Sequence, residues 1–233
     1  NKDSNIVKEC ACLMEQTQLE EKRRALLAAG VLMLDPAAVW VESGVTVGEG
    51  TLLLPGTILR GKTVIGARCE IGPNTMLTDC TVEDGCTVNS SQASESVIRA
   101  GSEIGPFAQL RPHTVVGAGS KIGAFVQLKN CDLGEGTKMA HLTYVGDSDV
   151  GARCNFGCGT VTCNYDGKVK ERTTIGSDVF IGCQTKFIPP VRVGDGAYIA
   201  AGTTITESVP DGAFVIGRSR QTVKTGWKDR RKK

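Results

Sequence analysis

The sequence predicts an all-β solenoid, a run of short strands wound into stacked coils. Two observations carry that expectation. Aliphatic residues recur every six positions through most of the chain, and the 233 residues combine 29 glycines with only 5% aromatics. A hairpin strand would repeat every two residues and an amphipathic helix every 3.6. One large apolar residue in six, with a small one four places on, describes a short strand and a corner, repeated. Such units cannot bury their faces alone and must stack on one another. The many glycines suit the tight turns this needs.

In chain order, residues 4–29 read as a helix, with good formers, Ser4 as N-cap and Gly30 as its stop. Asp35-Pro36 opens a short second turn. The frame then runs Val47, Leu53, Leu59, Ile65, Ile71, Leu77, loosens between Val88 and Ile98, and resumes at Ile104, Leu110, Val116, Ile122, Leu128. Five-residue steps lead to Leu133, Met139, Val145 and again to Val150, Phe156. A last run is Ile175, Ile181, Phe187, Val193, Ile199, Ile205. Small residues such as Thr51, Thr57, Cys69, Thr75, Ala108, Cys154, Thr185, Ala197 and Thr203 fill the second inward position. Between Cys163 and Ile175 the polar stretch NYDGKVKERTT, residues 164–174, reads as a loop thrown out from the coil. The expected organisation is a helical linker over 1–43, the solenoid over 44–218 and a basic tail over 219–233.

The net charge of +2 makes no case for nucleic acid, although Lys228, Arg230, Arg231, Lys232 and Lys233 gather at the end, as a solvated tail or an anion contact. No apolar run approaches the ~20 residues of a membrane span, so no membrane partner is expected. The ten cysteines form no recurring pairs and read as reduced and cytoplasmic. Cys69, Cys86 and Cys154 fall at small inward positions, as core fillers. Cys154 and Cys158 point in opposite directions in the frame, and Cys10 and Cys12 lie on different sides of a helix. No metal site is expected.

This pattern resembles the hexapeptide-repeat, left-handed parallel β-helix, in which three hexapeptides make one triangular coil. On that frame His141, two places after inward Met139, sits at a corner and points outward. It is either an idle surface histidine or a base. One coil on, the matching position is Cys158, then Cys183 across the loop, then Ala201. Stacked strands lie ~4.8 Å apart, so these four positions span roughly 14 Å along one edge. A histidine followed by three small side chains makes a groove for a long, thin ligand. Arg111 and Lys129, three hexapeptides apart, fall on adjacent coils of another edge, either as spaced surface charges or as a phosphate site.

Three segments narrow the family: AHLTYVGD (140–147), NFGCGTVTCNYDG (155–167) and LRP (110–112). They resemble the acetyltransferase half of the bacterial bifunctional UDP-N-acetylglucosamine pyrophosphorylase/glucosamine-1-phosphate N-acetyltransferase. The resemblance extends from Ser4 to the closing RQTVKTGW (220–227). It implies His141 as general base, Arg111 and Lys129 on the sugar phosphate, and Tyr144 and Asn155 on the sugar. It implies contacts to acetyl-CoA, the co-substrate, from Asn164, Tyr165, Cys158, Cys183, Ala201 and Arg218. Lys170 is implied to reach a neighbouring subunit's site, and the assembly to be a homotrimer. Cys158 and Cys183 depart from the alanine and serine frequent in the family. Lys129-Asn130 replaces a Lys-Lys pair, and Met139-Ala140 stands where Ala-Gly is frequent.

The reaction so implied is direct attack of the 2-amino group of glucosamine-1-phosphate on the acetyl-CoA thioester. The product, N-acetylglucosamine-1-phosphate, leads toward UDP-N-acetylglucosamine for peptidoglycan and lipopolysaccharide. The amine must lose a proton, which an imidazole can take near neutral pH. The alternatives are a hexapeptide acyltransferase acting on a different amino sugar, another amine or a hydroxyl, a covalent route through Cys158, and a silent β-helix scaffold. A zinc hydratase would need three histidines per site, and the chain has only His113 and His141. The family's uridylyltransferase half, with its Mg²⁺, is expected to be missing from this chain, as a fragment or a lost domain. Acetyl transfer should then need no metal, and UTP should release no pyrophosphate. Trimming after Gln221 should raise the KM for acetyl-CoA.

Overall fold

In a computed structural model of the protein, residues 16–227 are described. Residues 16–28 form the one helix among them, which ends at Gly30 with φ 84°. Only a residue without Cβ adopts that conformation freely. The first turns of the expected helix, its Ser4 cap, Cys10, Cys12 and the last residues of the basic tail lie outside the described residues. Leu26 packs into the apolar core. Arg23 Nε donates to the Val39 carbonyl at 2.8 Å, tying the helix to the first coil. Asp35 caps a short 3-10 turn, Pro36–Ala38, by accepting from the Ala37 N–H at 3.1 Å.

The rest is a left-handed parallel β-helix of about ten turns. One face carries eleven strands, from Leu32–Met33 to Phe214–Val215. A second face runs from Trp40–Val41 to Thr204–Ile205, and a third from Thr46–Val47 to Val191–Val193. Most strands are two or three residues long, too short to exist alone. Strand N–H groups bond carbonyls of the next coil, as Trp40 N does with Thr57 O at 2.9 Å and Ile58 N with Thr75 O at 2.8 Å, while corner groups such as Gly56 N bond back to the coil before, to Ala38 O at 2.8 Å.

The frame residues form the core: Leu53, Leu59, Ile71, Leu77, Leu128, Met139, Val145, Phe187 and Ile199 are fully buried. The loosened stretch stays in register. Ala93 pairs with Leu77 and Leu110, and Ile98 with Val82 and Val116, so two five-residue steps shorten that coil without breaking the ladder. The small inward positions have a polar role as well. Thr51 Oγ1 donates to Gly66 O at 2.8 Å and accepts from Cys69 N at 3.0 Å; Ser102 and Thr137 repeat the link to the next coil. A hydroxyl or thiol there reaches corner carbonyls that a methyl would leave unpaired.

The frame also sorts the thiols. Cys69, Cys80, Cys86, Cys131 and Cys154 are buried, whereas Cys158 is half-buried and Cys163 and Cys183 are exposed. Burial pushes the Cys131 thiol up to about 12 and raises those of Cys80 and Cys154. Iodoacetamide at pH 8 should therefore modify Cys158, Cys163 and Cys183 in the native protein and spare Cys80, Cys131 and Cys154 until denaturant is added, as peptide mass mapping will read. Leu128→Ala should lower unfolding stability by about 2–5 kcal/mol through the cavity it opens, measured by chemical denaturation.

Candidate active site

Two corner features bracket the second face. At the corner between the first and second faces, register fixes a column. His141 pairs with Ala124, and Met139↔Phe156↔Ile181↔Ile199 continues the ladder two residues earlier. His141, Cys158, Cys183 and Ala201 therefore stack one per coil. The corner is closed by Gln184 N to Cys158 O at 2.8 Å and Gly202 N to Cys183 O at 2.7 Å. His141, Cys183 and Ala201 are exposed. The Arg218 guanidinium donates to the Ala201 carbonyl, so the implied fourth contact also lies at the end of this column. No hydrogen bond holds the His141 imidazole among the described residues; its carbonyl accepts from Thr143 Oγ1 at 3.0 Å.

At the next corner, Arg111 and Lys129 follow the paired Leu110 and Leu128. With Pro112, His113, Asn130, Asp147, Lys170 and Arg172 they line an open concavity of about 560 Å³. Lys170's ammonium, first, then burial and Arg111, hold Lys129 below the usual lysine range, with Asp147 pulling the other way. Lys170, which the resemblance implies at a neighbouring subunit's site, faces Lys129 within its own chain. The loop folds back through the Tyr165↔Lys170 bridge and sets it there.

The floor of this concavity is a network that sequence reasoning missed. Asp147 is buried, at φ 48°, and its carboxylate accepts from Asn130 Nδ2 at 2.6 Å and from Asn164 Nδ2. Burial alone would raise its pKa. The two amides and the charges of Lys129 and Lys170 outweigh burial and leave it lowered. Arg172 forks onto Asp149, whose pKa it lowers, and donates to the carbonyls of Asn130 and Ser148. A signal was present: 130, 147 and 164 are 17 apart, one shortened coil each.

The other implied residues spread out. Tyr144 lies on the second face with its hydroxyl over Gly146, the partner of Lys129; a Cβ at 146 would collide with it. Asn164 sits under the cation cluster rather than in the corner column, and its carbonyl accepts from Glu171 N at 3.0 Å across the loop's neck. Tyr165 is exposed and donates to Gly167 O at 2.7 Å within its own loop. Asn155 pairs with Lys138 on the first face, in a separate concavity of about 320 Å³ with Lys121 and Ala140. One chain thus brings Arg111, Lys129 and Lys170 together, puts Tyr144 beside them and His141 at the next corner, and leaves Asn155 on another face. The strand resumes at Thr173, so the extruded segment is 164–172, shorter than the expected 164–174.

A coiled scaffold of six-residue repeats, with a polar corner groove beside a cation cluster, defines a hexapeptide-repeat protein. The family described as Bacterial transferase hexapeptide (six repeats) matches residues 44–79, 95–130 and 172–207, and the chain belongs to it. It is 46% identical over 209 residues to the bifunctional protein GlmU of Clostridium perfringens (strain SM101), covering 90% of this chain and 46% of that protein. It is 48% identical over 144 residues to GlmU of Clostridium botulinum (strain ATCC 19397), covering 62% of this chain and 32% of that protein. The chain spans less than half the length of these relatives, in accord with the resemblance to one half of a bifunctional protein. A solved structure of the polySia-specific acetyltransferase NeuO matches with 17% identity and TM-score 0.35, covering 83% of this chain and 94% of that one.

Asp147→Asn should free the loop, because a new amide faces the Asn130 or Asn164 amide donor to donor, at a cost of about 1–3 kcal/mol at pH 7. A lowered carboxylate stabilises the fold above its unfolded value of about 3.9, and that contribution is lost as pH falls through the folded value. The stability gap between wild type and variant should thus be constant from pH 5 to 8 and close below about pH 4. A gap that persists in acid would show that the charge is not the cause.

Proposed function

We propose that this chain transfers the acetyl group of acetyl-CoA to the 2-amino group of glucosamine-1-phosphate, and that it does so as a homotrimer. The observation that carries the reading is the cluster of Arg111, Lys129 and Lys170. The folded loop holds the like charges of Lys129 and Lys170 beside each other despite their repulsion, an arrangement suited to a phosphate monoester. Tyr144 lies between that cluster and the His141 corner, on the face a hexose ring would cover. The similarity to bifunctional GlmU proteins over 90% of the chain supports the same activity.

In this reading Arg111, Lys129 and Lys170 hold the phosphate, and Tyr144 and Asn155 hold the sugar. The acetyl donor lies along Cys158, Cys183, Ala201 and Arg218, with the exposed Tyr165 of the loop beside it, while Asn164 acts through Asp147 under the cation cluster. His141 removes the proton that the ammonium must lose before its nitrogen attacks the thioester carbonyl. The coenzyme thiolate then leaves as the tetrahedral adduct collapses. Anchoring both substrates converts a bimolecular encounter into an oriented one. Asn155 and Lys129 sit on different faces of one chain, which supports a site completed by a second copy. Residues 44–218 would be the catalytic unit. The eight described cysteines are all free, which fits a reducing cytoplasm. No helix of the described residues is long and apolar enough to cross a membrane. A different amino sugar as acceptor is the second reading, because the cation cluster specifies the phosphate more closely than the sugar.

The test is coenzyme A release against a panel of amino sugars, with and without the 1-phosphate. Glucosamine-1-phosphate should be preferred, with no added metal; equal rates for free glucosamine would overturn the assignment. His141→Ala should cut turnover about 100-fold or more with unchanged circular dichroism. Lys129→Ala should raise the KM for the sugar phosphate more than it lowers kcat. Light scattering should give three times the chain mass, and full activity at monomer mass would remove the shared site.

A further inference from the structure

The corner column contains two residues whose positions line the donor groove but whose thiol chemistry the acetyl-transfer reading does not use. Cys158 and Cys183 occupy successive coils immediately below His141, at outward positions otherwise filled by Ala124 and Ala201. Five of the eight described cysteines are buried, and only Cys163 shares the accessibility of this pair. The thiols are therefore concentrated where the reading above lays a thiol-bearing co-substrate.

Position decides which thiol meets the coenzyme's sulfur. The amine that attacks the thioester gives its proton to His141, so the sulfur must lie within a few ångströms of that ring. Cys158 is one coil away, ~4.8 Å along the stack, and Cys183 is one coil further. Adjacent coils also place the Cα atoms of the two cysteines inside the roughly 4.4–6.8 Å window that a disulfide accepts.

We propose that Cys158 is a thiolation site for the coenzyme in its oxidised form, coenzyme A disulfide, and that Cys183 resolves the adduct. This rests on the acyl-donor groove assigned above. In the first step the Cys158 thiolate attacks one sulfur of the coenzyme disulfide. A protein–coenzyme mixed disulfide forms, one coenzyme thiolate leaves, and the proton lost by Cys158 ends on that thiolate. In the second step the Cys183 thiolate attacks the Cys158 sulfur, the second coenzyme leaves as its thiol, and a Cys158–Cys183 disulfide closes across the groove. The balance is two protein thiols oxidised and one coenzyme disulfide reduced to two thiols. Both products obstruct the donor groove, so the enzyme is inhibited when its own co-substrate pool is oxidised and recovers on reduction.

The experiment incubates the full chain with coenzyme A disulfide, with glutathione disulfide as the control that lacks the nucleotide, and maps peptides without reduction. Wild type should form the Cys158–Cys183 crosslink and lose at least tenfold in acetyl transfer, restored by dithiothreitol. Cys183→Ser should stop at one coenzyme per chain, attached to Cys158. Excess acetyl-CoA should protect both. Adducts on Cys163 instead, or equal rates with glutathione disulfide, would overturn the proposal. Acetyl transfer by the untreated chain tests the functional reading separately. An active chain whose Cys158 takes no adduct sinks the thiolation alone, and an inactive chain thiolated at Cys158 sinks only the acceptor chemistry. A chain that does neither sinks both.

Discussion

Everything in this molecule depends on the hydrogen-bonded stacking of one coil on the next. The strands are mostly two or three residues long, and each is held only by its partners one coil above and below. Register is therefore not negotiable: a slip by one residue would turn every inward aliphatic out to water. Once register is fixed, a side chain's neighbours are the residues one coil before and one coil after it, or across the loop where that intervenes. Chemistry on such a scaffold is organised in columns. That is why a base, two thiols, a small residue and an arginine can line one edge although several coils and a loop separate His141 from Arg218.

The two exceptions to the short-strand rule mark the site. Gln127–Leu133 and Tyr144–Val150 are seven residues long and pass from the second face to the third without a break. In both, the step between inward aliphatics is five residues rather than six, Leu128 to Leu133 and Val145 to Val150. The two strands pair on both sides of that corner, with Lys129 against Gly146 and Cys131 against Ser148. Lys129 then projects over a residue with no side chain, and Tyr144 occupies the space. Asn130 and Asp147 take positive φ at the turn and direct their polar groups toward each other. The irregularity in the period and the polar network are one feature.

Much of this was legible in the sequence because the period is strong. The inward series from Leu53 to Ile205, the small polar companions, the Gly30 stop and the Asp35-Pro36 turn all follow from patterns that survive any detail of packing. The corner column was legible for the same reason, since counting by coils needs no coordinates. The Asp147 network was not. Asn130 looked like a mere departure from a Lys-Lys pair, and Asn164 like a ligand contact. Their shared partner becomes visible only once the two shortened coils are laid on top of one another. The place of Lys170 beside Lys129 within one chain was hidden too, because a loop's path cannot be derived from period; a single backbone bridge to Tyr165 sets it.

The charges of that corner explain why the loop is pinned so firmly. Lys129 and Lys170 repel each other, and a free loop would swing Lys170 away into water. Two sets of bonds oppose this: Arg172 forked on Asp149 at one end of the loop and Asn164 on Asp147 at the other. Breaking either would leave a carboxylate short of a partner, Asp147's a buried one, a larger penalty than the repulsion between a partly exposed and a fully exposed ammonium group. The scaffold thus holds two like charges at a separation they would not choose. An anion placed between them converts the repulsion to attraction without moving either side chain, so little ordering opposes its binding. Asp147 lies among these cations, but its oxygens are already engaged by the amides of Asn130 and Asn164.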